Sequence, residues 1–282
     1  MIIIDYLIIA LATGAPIILA ALGEAVVERS GRVNLGVEGM MAFSASIAVA
    51  LSAFTGSPIV GLIGGALSGM VLASIYIATV IALKLDQIAV GLILSLAGMG
   101  LADLMASLGY RIGANIAQYS LAHNMILALT LLLALVLWFI LYRTQLGIEI
   151  RAIGYDEALA GDRGLRVDLL RALTILIGGM LAGLAGAYMA LVLFGGKYFS
   201  GLTSGWGWLA VGSVILGYWH PLGVAAAAYL IGLLLALRPF LAPLGLAGVI
   251  VTTMPYIMVV ISLIIISLLS LKKPYIKPPK II

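Results

Sequence analysis

The chain has 282 residues, of which 64% are hydrophobic and 9% charged. A soluble domain carries roughly 45–50% apolar and about 25% charged residues, so an ordinary soluble fold is excluded. The net charge of +4 comes from loops and tail, which argues against a nucleic-acid footprint, and the absence of cysteine removes disulfides, thiolate metal sites and a cysteine nucleophile.

Taken in chain order, apolar runs fall at 3–22, 36–54, 58–83, 87–109, 124–142, 172–194, 206–219, 222–237 and 246–271. At about 20 residues per crossing helix, they predict an all-α polytopic membrane protein with about nine transmembrane helices. Mean hydropathy of +1.25 agrees. Residues 1–271 then form one transmembrane domain and 272–282 a Pro/Lys-rich tail. No basic residue precedes the first run, so no cleavable signal peptide is expected. Alternate threading places Arg29, Arg32, Lys84, Arg143, Arg151, Arg163, Arg166, Arg171, Lys272, Lys273, Lys277 and Lys280 on one side, against Arg111, Lys197 and Arg238 on the other. The positive-inside bias makes the first side cytoplasmic, with the N-terminus outside and the C-terminus inside. The runs 206–219 and 222–237 are short for full spans; as a re-entrant hairpin they would reduce the count to seven without changing the orientation.

Three segments carry polar chemistry. Within 23–41, Glu24, Glu28, Arg29, Arg32, Asn34 and Glu38 crowd between long apolar runs. Ionisable groups at membrane depth usually face a cavity or one another. A short cytoplasmic turn pairing Glu28 with Arg29 or Arg32 is the plainer alternative. Gly31, Gly36 and Gly39 permit the irregular backbone from which transporter sites are built, which makes Asn34 and Glu38 candidates for a substrate path. Asp103, inside the fourth run, either pairs within the bundle or lines that path.

The loop 143–171 holds five arginines and five acids. Its alternating signs suit a protein contact better than lipid headgroups. Tyr155–Ala160 reads as a short helix with Asp156 near its start, favourable for the helix dipole. The third segment, 205–223, contains Trp206, Trp208 and Trp219, which suit interfacial anchors; stacking of Trp206 on a solute is the sharper alternative. His220 reads as a capping or interfacial residue.

Absences narrow the class further. No G-x-x-x-x-G-K-[ST] occurs, since Gly195–Lys197 is followed by Tyr198, so no P-loop nucleotide site is expected on this chain. No metal set and no nucleophile–base pair is recognisable, and His123 and His220 lie far apart. The residues alone describe a transporter-like bundle with a cytoplasmic docking loop; a self-contained secondary transporter or channel stays open at this point.

The segments GEAVVERSGRVNLGVEGMM, RAIGYDEALAGDRGL and GWGWLAVGSVILGYWHPLG together resemble the permease subunits of ATP-binding-cassette importers for branched-chain amino acids, simple sugars and nucleosides. The first is close to the E-R-[SA]-G-x-x-N-[LI]-G-x-E-G-M-M pattern of the nucleoside and simple-sugar branch. The second resembles the family's coupling segment at Arg151, Ala152, Gly154, Asp156, Ala160 and Gly164, with Glu157 beside them. It departs at Leu159 and Gly161, where alanines are commoner. The resemblance implies no catalysis on this chain and no cofactor of its own, with ATP and Mg bound by partner ATPase subunits. It also implies a second, longer permease, an extracytoplasmic binding protein delivering a small-molecule substrate, and a prokaryotic cell membrane.

Overall fold

A computed structural model describes residues 2–108 and 120–236, with eight further positions: 253, 256, 257, 260, 261, 264, 265 and 268. Those eight are helical; the rest of the ninth apolar run, the 272–282 tail, Arg111 and Arg238 lie outside the described residues. The chain forms α1 (Ile2–Arg29), α2 (Val37–Thr55), α3 (Pro58–Tyr76), α4 (Gln87–Ser107), α5 (Ser120–Arg143), α6 (Gln145–Tyr155), α7 (Glu157–Asp162), α8 (Val167–Tyr188), α9 (Trp206–Leu216) and α10 (Pro221–Ala236). The helices α3 and α8 each continue into a π-helical stretch, Ile77–Ala82 and Met189–Leu193. No strand occurs among the described residues.

By length and composition, four helices can cross a membrane: Val37–Thr55, Pro58–Ala82, Gln87–Ser107 and Val167–Leu193. A fifth crossing forms if Ala128–Arg143 and Gln145–Tyr155, bent by 75°, count as one span. The protein is therefore an all-helical, multi-pass membrane protein. The helix α9 has 11 residues, about 16 Å at 1.5 Å per residue, well short of a hydrocarbon core of about 30 Å. It is a half-helix that starts inside the bundle.

Local chemistry sets the helix ends. The Asp86 carboxylate accepts from Ala89 N at 2.8 Å and starts α4. Thr144 Oγ1 accepts from Gly147 N at 3.3 Å, capping α6 directly after the bend. Asp156 Oδ1 accepts from Leu159 N at 3.0 Å and caps α7, the short helix expected near 155–160. Pro58, at the first position of α3, carries no N–H to leave orphaned.

The helix α1 is the axis of the bundle. From Ala15 to Val27 its apolar side chains are almost wholly buried, packed against α5, α8, α9 and α10. Lipid gives no hydrophobic reward for helix association, so close approach at small residues has to supply it. At the crossing of α3 and α8, a Cβ on Gly69 would overlap the Gly179 carbonyl, and one on Gly183 would overlap the Gly65 carbonyl. Gly178 packs on Gly23 and Val27 of α1, and Gly186 on the Met41 carbonyl of α2. These four α8 glycines are thus used within the chain. The outer faces are apolar: Ile59, Ile63, Leu67, Val71 and Ile75 form an exposed stripe along α3, as a lipid-facing helix requires.

Candidate functional site

The connection from α1 to α2 is irregular backbone within an apolar bundle, so its N–H and C=O groups need partners that helix geometry no longer supplies. Side chains from three helices provide them. Glu24 Oε1 accepts from Asn34 N at 2.7 Å, and Gln87 Oε1 from Val33 N at 3.2 Å. Tyr76 donates its hydroxyl to the Val33 carbonyl at 2.5 Å, and Ser95 to the Leu35 carbonyl at 2.7 Å. The Asn34 side chain accepts from Gly36 N at 2.9 Å. This segment climbs along α4: Gly91 abuts Leu35, and Gly98 abuts Gly39 so closely that a Cβ would lie 2.5 Å from the Gly39 carbonyl oxygen. Gly98 lies about 16 Å along α4 from Gln87, close to the helix midpoint.

Glu38 therefore stands near the middle of the bundle, 2% exposed. Its Oε1 accepts from Thr203 Oγ1 at 2.6 Å and Gly205 N at 2.8 Å. Its Oε2 accepts from Gly207 N at 2.7 Å. The carboxylate thus satisfies the first amides of α9 and sits at the positive end of that helix. Gly205, at φ 85°, gives the left-handed turn into α9, and the half-buried Trp206 is its first residue. Farther along α4, the exposed Asp103 accepts from Tyr198 at 3.2 Å and Ser200 at 2.9 Å. Of the path candidates, Glu38 and Asp103 thus clasp the two ends of the 198–205 segment, Asn34 stabilises the climbing backbone, and Trp206 opens the half-helix.

A second cluster occupies the end of α1. Arg29 Nε donates to the Trp219 carbonyl at 2.8 Å and Nη2 to the Tyr142 hydroxyl at 2.8 Å. The Trp219 indole N–H donates to Glu28. The expected pairing of Glu28 with Arg29 or Arg32 does not form, because the indole takes the carboxylate and the guanidinium turns to carbonyls and a phenol. Nor is Trp219 an interfacial anchor: it is 5% exposed, drawn inward by that same carboxylate. The His220 ring lies 4.9 Å from Tyr142, and burial together with the Arg29 charge lowers its pKa.

The helices α6 and α7 make up most of the 143–171 segment. A Cβ on Gly147 would overlap the Ile140 carbonyl, and one on Gly154 the Arg29 carbonyl; the first allows the bend, and the second seats α6 on the end of α1. Arg151 lies 4.8 Å over the Tyr142 ring. Glu157 pairs with Arg171 at 2.8 Å. Ala160 packs with Ile153 and Leu170 in a small separate core. Gly164, at φ 81°, supplies the turn out of α7. The motif residues thus fix the segment's shape, while Leu146, Ile148, Tyr155 and Leu159 are among the large side chains it exposes. Leu159, with Gly161, is where the segment departs from the family pattern.

A broken helix capped at mid-bundle, with α6 seated on the end of the central helix, suits a membrane transporter subunit. The comparisons agree. Residues 6–269 match the family described as branched-chain amino acid transport system / permease component, and the chain belongs to that family. It is 37% identical over 79% of its length to 73% of a Haloferax volcanii protein named provisionally as a glucose ABC transporter permease. Identity is 28% with the guanosine ABC transporter permease protein NupQ of Bacillus subtilis, covering 88% of each chain. Identity is 26% with the nucleoside ABC transporter permease protein NupC of Lactococcus lactis, covering 79% of this chain and 78% of that one. No solved structure matches it.

Proposed function

We propose that this chain is the membrane permease subunit of an ATP-binding-cassette importer, forming the path of a small polar solute, a simple sugar or a nucleoside. The relatives' names support that substrate class. Orientation follows the charge: Arg29, Arg32 and the basic residues of 143–171 gather at one end of the bundle, which supports a cytoplasmic placement for that end in a prokaryotic cell membrane. About nine spans, with the N-terminus outside and the C-terminus inside, fit this arrangement.

The observation that carries the reading is that seat of α6 on the end of α1. A partner ATPase that moves α6–α7 pushes through Gly154 directly on the end of α1, the axis of the bundle, and through Arg151 on Tyr142 of α5. From there Arg29 reaches Trp219 in the turn between α9 and α10, and α9 begins at Glu38. A two-state shift of the bundle can so be biased from the ATPase side, and by a loaded binding protein on the other side. ATP and Mg stay on the ATPase, and this subunit performs no covalent chemistry. A second, longer permease completes the path. Asp103 and Trp206 face the solute in this reading, while Asn34 and Glu38 act through the backbone they hold.

The test targets the exposed face of α7. Leu159→Arg leaves every packed contact in place, whereas Gly154→Trp and Asp156→Lys attack the seat and the cap. Membrane insertion should persist in all three, with ATPase co-purification and uptake lost. Normal ATPase binding and uptake in Leu159→Arg and Gly154→Trp together would show that coupling runs through another surface.

A further inference from the structure

We propose that the seam between α5 and α10 holds one anionic phospholipid, with an acyl chain in an apolar groove and the phosphate at its cationic end. The groove encloses about 470 Å³ and is lined by apolar side chains that include Leu131 and Leu135 of α5 and Leu222, Ala226 and Tyr229 of α10. That volume lies within the roughly 300–1,000 Å³ of ordinary ligand sites. Leu222 to Tyr229 covers about 10 Å of helix, so the groove runs along the bundle, as a lipid chain does.

The groove leads to a charged end. Leu131, Leu135, Trp138 and Tyr142 recur at the spacing of one helix face, which carries the seam from the groove down to Tyr142. On the other wall, Leu222 is two residues from His220, whose ring lies 4.9 Å from Tyr142. Over the Tyr142 ring sit two guanidiniums, Arg151 at 4.8 Å and Arg29 at 5.8 Å. The one ion pair among the described residues is Arg171 with Glu157, so neither of these arginines has a carboxylate partner there. Arg29 donates to carbonyls and a phenol, none of which cancels its charge. Glu28, the acid nearest in sequence, is taken by the Trp219 indole.

Two uncompensated cations at the end of an apolar groove complement a ligand with an anionic head and an apolar tail. An inorganic phosphate would leave the groove unfilled. An apolar helix from a partner would leave the cations unneutralised. A phospholipid satisfies both.

The assembled transporter is incubated with vesicles of equal parts phosphatidylglycerol and phosphatidylcholine, repurified, and its retained lipid measured by native mass spectrometry. Phosphatidylglycerol should exceed phosphatidylcholine by on the order of tenfold, as expected for one or two cations at a headgroup. Ala226→Trp and Leu135→Trp, both at exposed positions, should abolish the excess while the complex stays assembled. Equal retention of the two lipids overturns the headgroup assignment, and an unchanged excess in both variants overturns the groove. A photo-crosslinker at position 226 that captures a protein chain in place of lipid would also overturn the proposal, by showing that a partner covers the seam. Lipid retention is read without uptake, so this result stands or falls apart from the transport reading.

Discussion

Two interfaces hold this bundle by opposite means. Where α3 crosses α8, Gly65, Gly69, Gly179 and Gly183 bring backbone onto backbone, and stability comes from dispersion over a close contact. Along the seam from α1 to α9, the backbone leaves helical geometry, and carboxylates, amides and hydroxyls hold it. The first interface tolerates no added atom and the second no lost polar partner. A glycine contact is rigid because nothing in it can rotate; a hydrogen-bonded half-helix can exchange partners, which suits the part of a transporter that has to move.

The largest expected effect comes from filling the glycine crossing. Gly69→Leu and Gly183→Leu place side chains against backbone that cannot retreat. Each should cost about 3 kcal/mol or more, seen as loss of the assembled complex from detergent extracts. Normal yield and melting temperature would mean the crossing is looser than it stands here.

Glu38→Ala should come next. It strands two amides and a hydroxyl in the interior, at about 2–4 kcal/mol. Glu38→Gln keeps an acceptor and should recover part of the stability while still lowering uptake, because the charge at the start of α9 is gone. Asn34→Ala removes one acceptor and should cost about 1 kcal/mol, again with reduced uptake and the ATPase still bound. If uptake is normal in Asn34→Ala and Glu38→Gln, the polar seam is scaffold and not part of the path.

Leu159→Arg should change the melting temperature little, within about 0.5 kcal/mol for an exposed position, yet lose the ATPase. That contrast separates a docking face from a packed one. The smallest effect belongs to His220. Its pKa is lowered by burial and by Arg29, so the folded state binds fewer protons there than the unfolded chain. Stability contributed by the neutral ring is full above an ordinary value of about 6.5 and declines as pH falls through the lowered one. His220→Gln should flatten that decline in a melting-temperature series against pH.

Much of this was legible in the sequence. Apolar runs of about 20 residues leave few alternatives to membrane helices, and Asp156 was legible as the start of the short helix that became α7. Gly31 and Gly36 announced irregular backbone at 30–36, whereas Gly39 fell within α2. What the sequence could not say is which partner each polar group would take. Glu28 had two arginines within four residues, and it chose an indole 191 positions away. Trp219 carried the pattern of an anchor and became buried. Gly178, Gly179, Gly183 and Gly186 could as well have met a partner, and only the helix crossings assigned them to α1, α2 and α3. Composition and periodicity act locally and survive without a fold, because burial in lipid depends on each segment's own polarity. Hydrogen-bond partners, close backbone contacts and the inward or outward aim of Arg151 and Leu159 depend on how distant helices dock. A one-dimensional pattern holds no information on which of several chemically equal partners the packing brings within 3 Å.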